Sequence, residues 1–403
     1  MIYKEWTNTQ MLMSEVTIKS FNEKIKIDRV LGNITGKQGS PTVVILGGIH
    51  GNEKAGIYAL NNVIQKIEKE NIKFDGNLYA LSGNLNALQN NIRFEIEDLN
   101  RIWSDDHLAN INTSDNGYNA DVNEQIALYK IIKDILSNEK GPFYFIDLHT
   151  TSSNTTPFIT ISDSLNNRKY TTNFDVPIVL GIEEYLDGPL LTYINEFGHI
   201  ALGFEGGQHD DDESVINCEA FIWLALEASG CVKKDQISGF KDYKKVLSEN
   251  GFDREFYEID YRYLIKDHEN FTMNKGFTNF DRIHKDELLA SSDSHDVKAA
   301  MEGLIFMPLY QKQGDDGFFI ITKIPKIWLK LSIIVRKLRL HNILRILPGI
   351  KKDPTNSYTL LVNPRTAKFL AVEIFHLFGY RKQVVKDDKL HFIKRDRKVK
   401  EFK

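Results

Sequence analysis

The sequence predicts an α/β fold: a mostly parallel or mixed sheet flanked by helices, then a small all-β second domain, then a basic C-terminal α/β extension. Three observations carry this. Short apolar runs rich in β-branched residues alternate with stretches of helical spacing, the pattern of strands buried on both faces beneath crossover helices. From Glu255 to Ile321 short alternating segments are separated by Gly and Asp turns. Beyond Ile321 the charge balance reverses: 321–403 holds 21 Lys and Arg against 6 Asp and Glu, while the preceding part holds 30 against 49.

The elements follow in order. Thr42 to Leu46 (TVVIL), bounded by Pro41 and Gly47, reads as a buried strand. Gly47, Gly48 and Gly51 then allow a tight turn, and Lys54 to Lys69 has apolar residues at helical spacing. A helix from Asn123 to Leu136 precedes a second buried strand, Phe143 to Leu148, which ends at His149. A third, Ile200 to Phe204, ends at Glu205, and a helix from about Glu213 to Ser229 follows. The extension is expected to hold a basic helix within Ile324 to Leu347, a second helix near Thr366 to Phe378 and a closing strand at Lys389 to Lys394. At 403 residues, 42% of them apolar, the chain exceeds the roughly 250–300 residues at which a single core usually splits. The expected domains are 1–235, 250–322 and 323–403.

Two cysteines, Cys218 and Cys231, in neither a CxxC pair nor zinc-finger spacing, suggest a reducing compartment. The first residues lack the basic start and apolar run of a secretory signal, so a cytoplasmic location is expected. Ile324 to Leu347 is interrupted by six Lys and Arg, which excludes it as a spanning helix. GNITGK at 32–37 is one residue short of a phosphate-loop spacing and has Gln38 where Ser or Thr is needed, so nucleotide binding is set aside.

The chemistry-bearing residues lie past the carboxyl ends of the three strands, where open α/β sheets bind ligands. In HGNE, His50 and Glu53 are three apart, and at the entrance to a helix the imidazole and carboxylate would share one side. Both are zinc donors, a catalytic zinc takes three protein ligands, and His149 is the natural third. A lone HxxE also arises as a surface pair or helix cap; the second strand-end histidine distinguishes this one. Asp147, two before His149, either steadies that imidazole or bonds to backbone. Glu205, between an apolar strand and Gly206, is expected to be poorly solvated, which raises a carboxyl pKa toward the range of acid–base work; a helix-capping role is the plainer alternative. Arg93, Asn100 and Arg101 cluster without a core pattern, and arginine suits carboxylates and developing oxyanions, although loop arginines are usually solvated.

HGNE (50–53), GNLNA (83–87), RFEIEDLNR (93–101), DLHTTSS (147–153) and the Glu205 strand end, in this order, resemble the succinylglutamate desuccinylase and aspartoacylase family, itself related to the zinc carboxypeptidases. The resemblance covers roughly 25–322. It implies one Zn²⁺ per chain on His50, Glu53 and His149, Glu205 as general base and then acid, and Arg93 as oxyanion stabiliser. It also implies Asn100 with Arg101 as the clamp on a substrate carboxylate, and a C-terminal domain, seen in GFTNFDRIHKDELLA, that narrows the mouth of the site. The expected activity is hydrolysis of the amide bond of an N-acylated amino acid or similar small carboxylate-bearing amide. A zinc carboxypeptidase acting on peptides and a non-catalytic ligand-binding relative are the rivals. The family's further substrate arginine before the catalytic glutamate is absent from LLTYINEFGHIALGFE, where Asn195 and His199 are the polar candidates for its place. The small N-acyl substrate is the expected partner, with no nucleic acid, no stable membrane binding, and room for a homo-oligomer. The basic helix is expected to dock on the acidic body with its apolar side covered, because Arg336 and Arg339 fall off its basic stripe.

Overall fold

A computed structural model describes residues 14–17, 24–111, 118–249, 254–364, 372–386 and 389–400. Its centre is an 11-stranded mixed sheet. In chain order the strands are β1 (Val30–Ile34), β2 (Thr42–Gly47), β3 (Asn77–Ser82), β4 (Phe143–Thr151), β5 (Phe158–Ile161) and β6 (Ile178–Leu180). The remainder are β7 (Ile200–Gln208), β8 (Phe256–Leu264), β9 (Arg282–Ile283), β10 (Gly303–Phe306) and β11 (Asp316–Lys323). Across the sheet they run β9-β10-β11-β8-β6-β5-β7-β4-β2-β3-β1.

The inner strands are apolar because both faces are covered. Val43 and Ile45 of β2 enter one core, with α1 (Ala55–Glu70) and α3 (Asp212–Ala228), while Val44 and Leu46 enter the other, with α2 (Ala120–Asn138) and Leu190–Glu196. Alternate residues point to opposite faces, so a strand between two helical layers needs apolar residues throughout. As far as Ser229 the sequence-read strands and helices lie within about three residues of the observed ones, except that β4 and β7 run on through His149 and Glu205 to Thr151 and Gln208; the basic helix expected within Ile324 to Leu347 ends as an α-helix at Lys337. The GNITGK glycine Gly32 lies in the edge strand β1.

The strands after Glu255 divide between two sheets. β8 pairs in parallel with β6, and β11, β10 and β9 continue the large sheet; Phe271–Met273, Leu288–Ser292 and His295–Lys298 form a separate three-stranded sheet. This segment brings its own apolar core of Met273, Ile283, Leu289, Ile305, Phe318 and Ile320.

The extension begins with α4 (Lys326–Lys337), followed by a 3₁₀ turn at Leu340–Ile346. A four-stranded antiparallel sheet, in the order Ile350–Lys352, Thr359–Val362, Lys389–Lys394, Tyr380–Lys386, closes over Val372–Leu377, whose Phe375 stacks on Phe392 at 3.9 Å. The first part of the expected helix near Thr366 lies outside the described residues. The extension does dock on the acidic body. Arg336 reaches Asp163 at 3.3 Å, Arg395 reaches Asp163 and Glu183 at 3.0 Å, and Arg381 reaches Glu196 at 3.1 Å, while Asp396, within the extension, braces Arg336 at 2.8 Å. The expected cover over the apolar side of α4 is not there: Ile327 and Leu338 are 71% and 64% exposed. Docking engages the Arg336 side of the helix, so the residue off the basic stripe is the anchor.

Candidate active site

The sheet places the candidate residues side by side. β2 and β4 are parallel neighbours, with Gly47 opposite Leu148, and β4 and β7 are parallel neighbours with His149 opposite Glu205. Beyond β2 the chain turns sharply at Gly48, whose φ of +68° favours glycine, and at Gly51, where an added Cβ would lie 2.0 Å from Ala87 backbone. His50 and Glu53 are brought together by this turn, in which the Glu53 amide donates to the His50 carbonyl at 3.1 Å. Helix α1 starts only at Ala55, so the turn, and not the first helical turn expected from spacing, sets their geometry.

Three side chains converge. Glu53 Oε1 lies 2.9 Å from Nδ1 of His50, and Oε2 lies 2.9 Å from Nδ1 of His149. The Thr150 amide donates to Oε2 at 3.0 Å. Among the described residues, His50, Glu53 and His149 form a buried group whose ligand atoms all lie within 4.8 Å of one another, and such a group could hold a metal ion. Each imidazole has a carboxylate on its far side: Asp98 Oδ1 at 3.0 Å from His50 Nε2, and Asp147 Oδ2 at 2.8 Å from His149 Nε2. That is the arrangement in which carboxylates fix the tautomer and strengthen the inner nitrogen as a donor.

Arg93 closes the near side, its Nη2 donating to Asp98 at 3.1 Å and its Nη1 to Glu53 at 3.3 Å. Burial raises a carboxyl pKa, but the two histidines outweigh it at Glu53 and hold it well below the usual range. Burial likewise lowers an imidazole, yet Asp147 and Glu53 carry His149 well above its ordinary value. Glu205 behaves in the opposite sense to Glu53. Burial pushes it up to about 8, nearby His149 only partly opposing, and its Oε2 is a buried oxygen without a hydrogen-bond partner.

His50, Glu53, Arg93, Asp98, His149 and Glu205 line one cleft, with a cavity volume of about 140 Å³, together with Asn100, Arg101, Thr160, Thr192 and the 307–316 loop; Asp147 lies behind it. Asn100 Oδ1 accepts the Leu190 amide at 3.0 Å, which ties the Arg101 loop to the Pro189 wall. Arg101 Nη2 lies 3.5 Å from Asp316, which Arg262 also holds at 2.5 Å, so two guanidiniums share one carboxylate. Asn195 and His199, the polar candidates for the missing arginine's place, do not line the cleft. Asn195 bonds to Asn167 at 2.9 Å, and burial against Phe143 lowers His199 to about 4. Sequence reasoning missed Asp98, within the quoted RFEIEDLNR motif, and His209, just past Gly206–Gly207. Thr150 lies 2.7 Å from Nδ1 of His209 and Gln311 lies 3.2 Å from Nε2; burial lowers this imidazole.

The comparisons point one way. The family described as "Succinylglutamate desuccinylase/Aspartoacylase catalytic domain" matches residues 39–215. A curated succinylglutamate desuccinylase of Photorhabdus laumondii is 34% identical over 79 residues, 20% of this chain, and the match spans about a quarter (24%) of that relative's length. The structure of succinylglutamate desuccinylase from Vibrio cholerae superposes with a TM-score of 0.55 at 15% identity, covering 77% of this chain and 90% of that one. That of a succinylglutamate desuccinylase/aspartoacylase from Rhodobacter sphaeroides gives 0.54 at 16% identity, covering 78% and 96%. At such identities the structural likeness concerns the fold, and the sequence match concerns the 39–215 segment. Residues 39–215 are thus similar to the catalytic domain of the succinylglutamate desuccinylase/aspartoacylase family.

Proposed function

We propose that this protein is a zinc-dependent hydrolase cleaving the amide bond of an N-acylated amino acid or a similar small, carboxylate-bearing amide. The observation that carries the reading is the meeting, in one cleft, of a two-histidine, one-carboxylate donor set with a buried Glu205 whose Oε2 has no hydrogen-bond partner. Two imidazoles and a carboxylate, without sulfur, suit a catalytic zinc, and His50, Glu53 and His149 would hold one ion per chain. Bound zinc supplies Lewis acidity toward a carbonyl and acidifies water. Glu205 takes the proton from the water that attacks the acyl carbon and delivers it to the nitrogen as the C–N bond breaks, leaving a carboxylic acid and a free amine. A pKa raised to about 8 suits both halves of that task near neutral pH. Arg93, next to Glu53, faces the oxygen on which negative charge develops. Asn100 and Arg101 hold the substrate carboxylate, with Arg101 and Arg262 against the single Asp316 leaving one positive charge for it. The names of the relatives support the reaction class, and two buried free thiols, Cys218 and Cys231, fit a cytoplasmic setting.

A panel of N-acyl amino acids with zinc-loaded protein tests the reading, and turnover of at least one is expected. Release of C-terminal residues from peptides, with every N-acyl amino acid inert, would establish a carboxypeptidase instead.

A further inference from the structure

Among the described residues, fourteen large hydrophobic side chains are exposed, and eight of them fall between Ile327 and Ile346. Such crowding in twenty residues is not the scatter expected of an ordinary surface. The orientation of α4 is fixed from its inner side: Val335 is buried, the Ser332 hydroxyl donates to the Leu377 carbonyl at 3.0 Å, and Arg336 is held by Asp163 and Asp396. Ile327, Ile334 and Leu338 therefore face outward and cannot turn in. The following 3₁₀ turn does the same, burying His341 and Leu344 while leaving Ile343 and Ile346 50% and 82% exposed.

Charge identifies what this surface fits. From Lys323 to Lys352 there is no Asp or Glu, and Lys330, Lys337, Arg339 and Arg345 are exposed around the apolar stripe. Trp328, 54% exposed, adds an aromatic ring of the kind that settles at the level of lipid headgroups. An apolar stripe with basic flanks lies flat in an anionic interface, its side chains in the acyl boundary and its cations among headgroups. A symmetric contact with a second copy would instead set these cations against each other. No described helix is long and apolar enough to cross a membrane, so the segment would lie on the bilayer.

We infer that 327–346 is a docking surface for an anionic lipid bilayer, which makes this protein a peripheral membrane protein and reverses the expectation from sequence. The inference is independent of the proposed chemistry, because its test reads binding and not turnover. The full chain is sedimented with phosphatidylcholine vesicles with and without phosphatidylglycerol, beside the double variant Ile334→Asp/Leu338→Asp. Both sites are exposed, and an unchanged melting temperature verifies the variant's fold. The expected result is pelleting with phosphatidylglycerol vesicles, reduced about tenfold or more in the variant and weakened by salt. Failure of the full chain to pellet, or equal pelleting of the variant, overturns the proposal. So does a dimer in sedimentation velocity that the double variant dissociates, if no vesicle binding accompanies it.

Discussion

Two groups of seven charged or titratable side chains, among the described residues, are buried or partly buried, one beneath the cleft and one beneath the extension, and they solve the cost of burial differently. Under the extension, Asp163, Glu183, Glu184 and Asp396 meet Arg168, Arg336 and Arg395, four carboxylates to three guanidiniums, with His376 at the rim 3.0 Å from Glu184. The one excess negative charge sits where burial pushes Glu183 upward, toward its protonated form. Under the cleft, Glu53, Asp98, Asp147 and Glu205 surround Arg93 as the one guanidinium in direct contact, Arg101 acting on Asp98 from further off, and two imidazoles make up the seven. With those imidazoles neutral these seven groups carry three negative charges in excess, which the single surplus charge of Arg101 and Arg262 over Asp316 does not offset, and burying unpaired charge is costly. Protons are one remedy, visible in the upward shifts of His149 and Glu205; a divalent cation is the other. A saturated group is a fastener. An unsaturated one facing a cleft has capacity left for a ligand.

Removing one group from each cluster should separate the two roles. The largest effect is expected from Glu205→Gln, which keeps the shape but cannot move a proton: kcat should fall by about 10²- to 10⁴-fold with metal content unchanged. An undiminished kcat removes Glu205 from the chemistry.

Asp163→Asn should do the reverse. It leaves three arginines short of their shared partner and should destabilise the fold by about 3–5 kcal/mol in denaturant unfolding. The metal site should remain intact. Acid sharpens the contrast. Burial alone would raise the Asp163 carboxyl, but Arg168, Arg336 and Arg395 outweigh it and hold it low. A depressed carboxyl contributes stability that is complete above its unfolded pKa of about 3.9 and is lost as pH falls through its lower folded value. Wild-type stability should therefore decline below about pH 4, and Asp163→Asn should lack that part of the decline; parallel pH profiles would exclude Asp163 as its source.

Arg101→Lys should have the smallest effect, since lysine keeps the charge but loses the planar fork: KM rises about fivefold with kcat nearly unchanged. A comparable rise for the substrate's carboxamide analogue would contradict the clamp.

Much of the cleft was legible in sequence because its residues follow apolar strands whose meaning is unambiguous. Neighbouring strands set His149 opposite Glu205, and the glycine turn after β2 delivers His50 beside them. Asp98 was invisible as an outer partner of His50 because a single Asp on a loop carries no periodic signal, and its contact spans 48 positions. The placement of β8 to β11 at the edge of the large sheet could not be read either, since period-two patterning marks a strand without naming its neighbour. The extension was misread in an instructive way. Arg336 looked like a flaw in the basic stripe, whereas it is the residue that turns the helix inward and leaves the apolar stripe facing out.

Metal analysis of the chelated and zinc-reloaded protein tests the contrast between the two buried clusters most directly. Wild type and Asp163→Asn should each retain about one zinc per chain, and a His50→Ala/His149→Ala double variant should retain essentially none, because a catalytic zinc needs about three protein ligands. Full zinc occupancy in the double variant, or none in the reloaded wild type, would contradict the assignment of the cleft's unbalanced charge to a metal site.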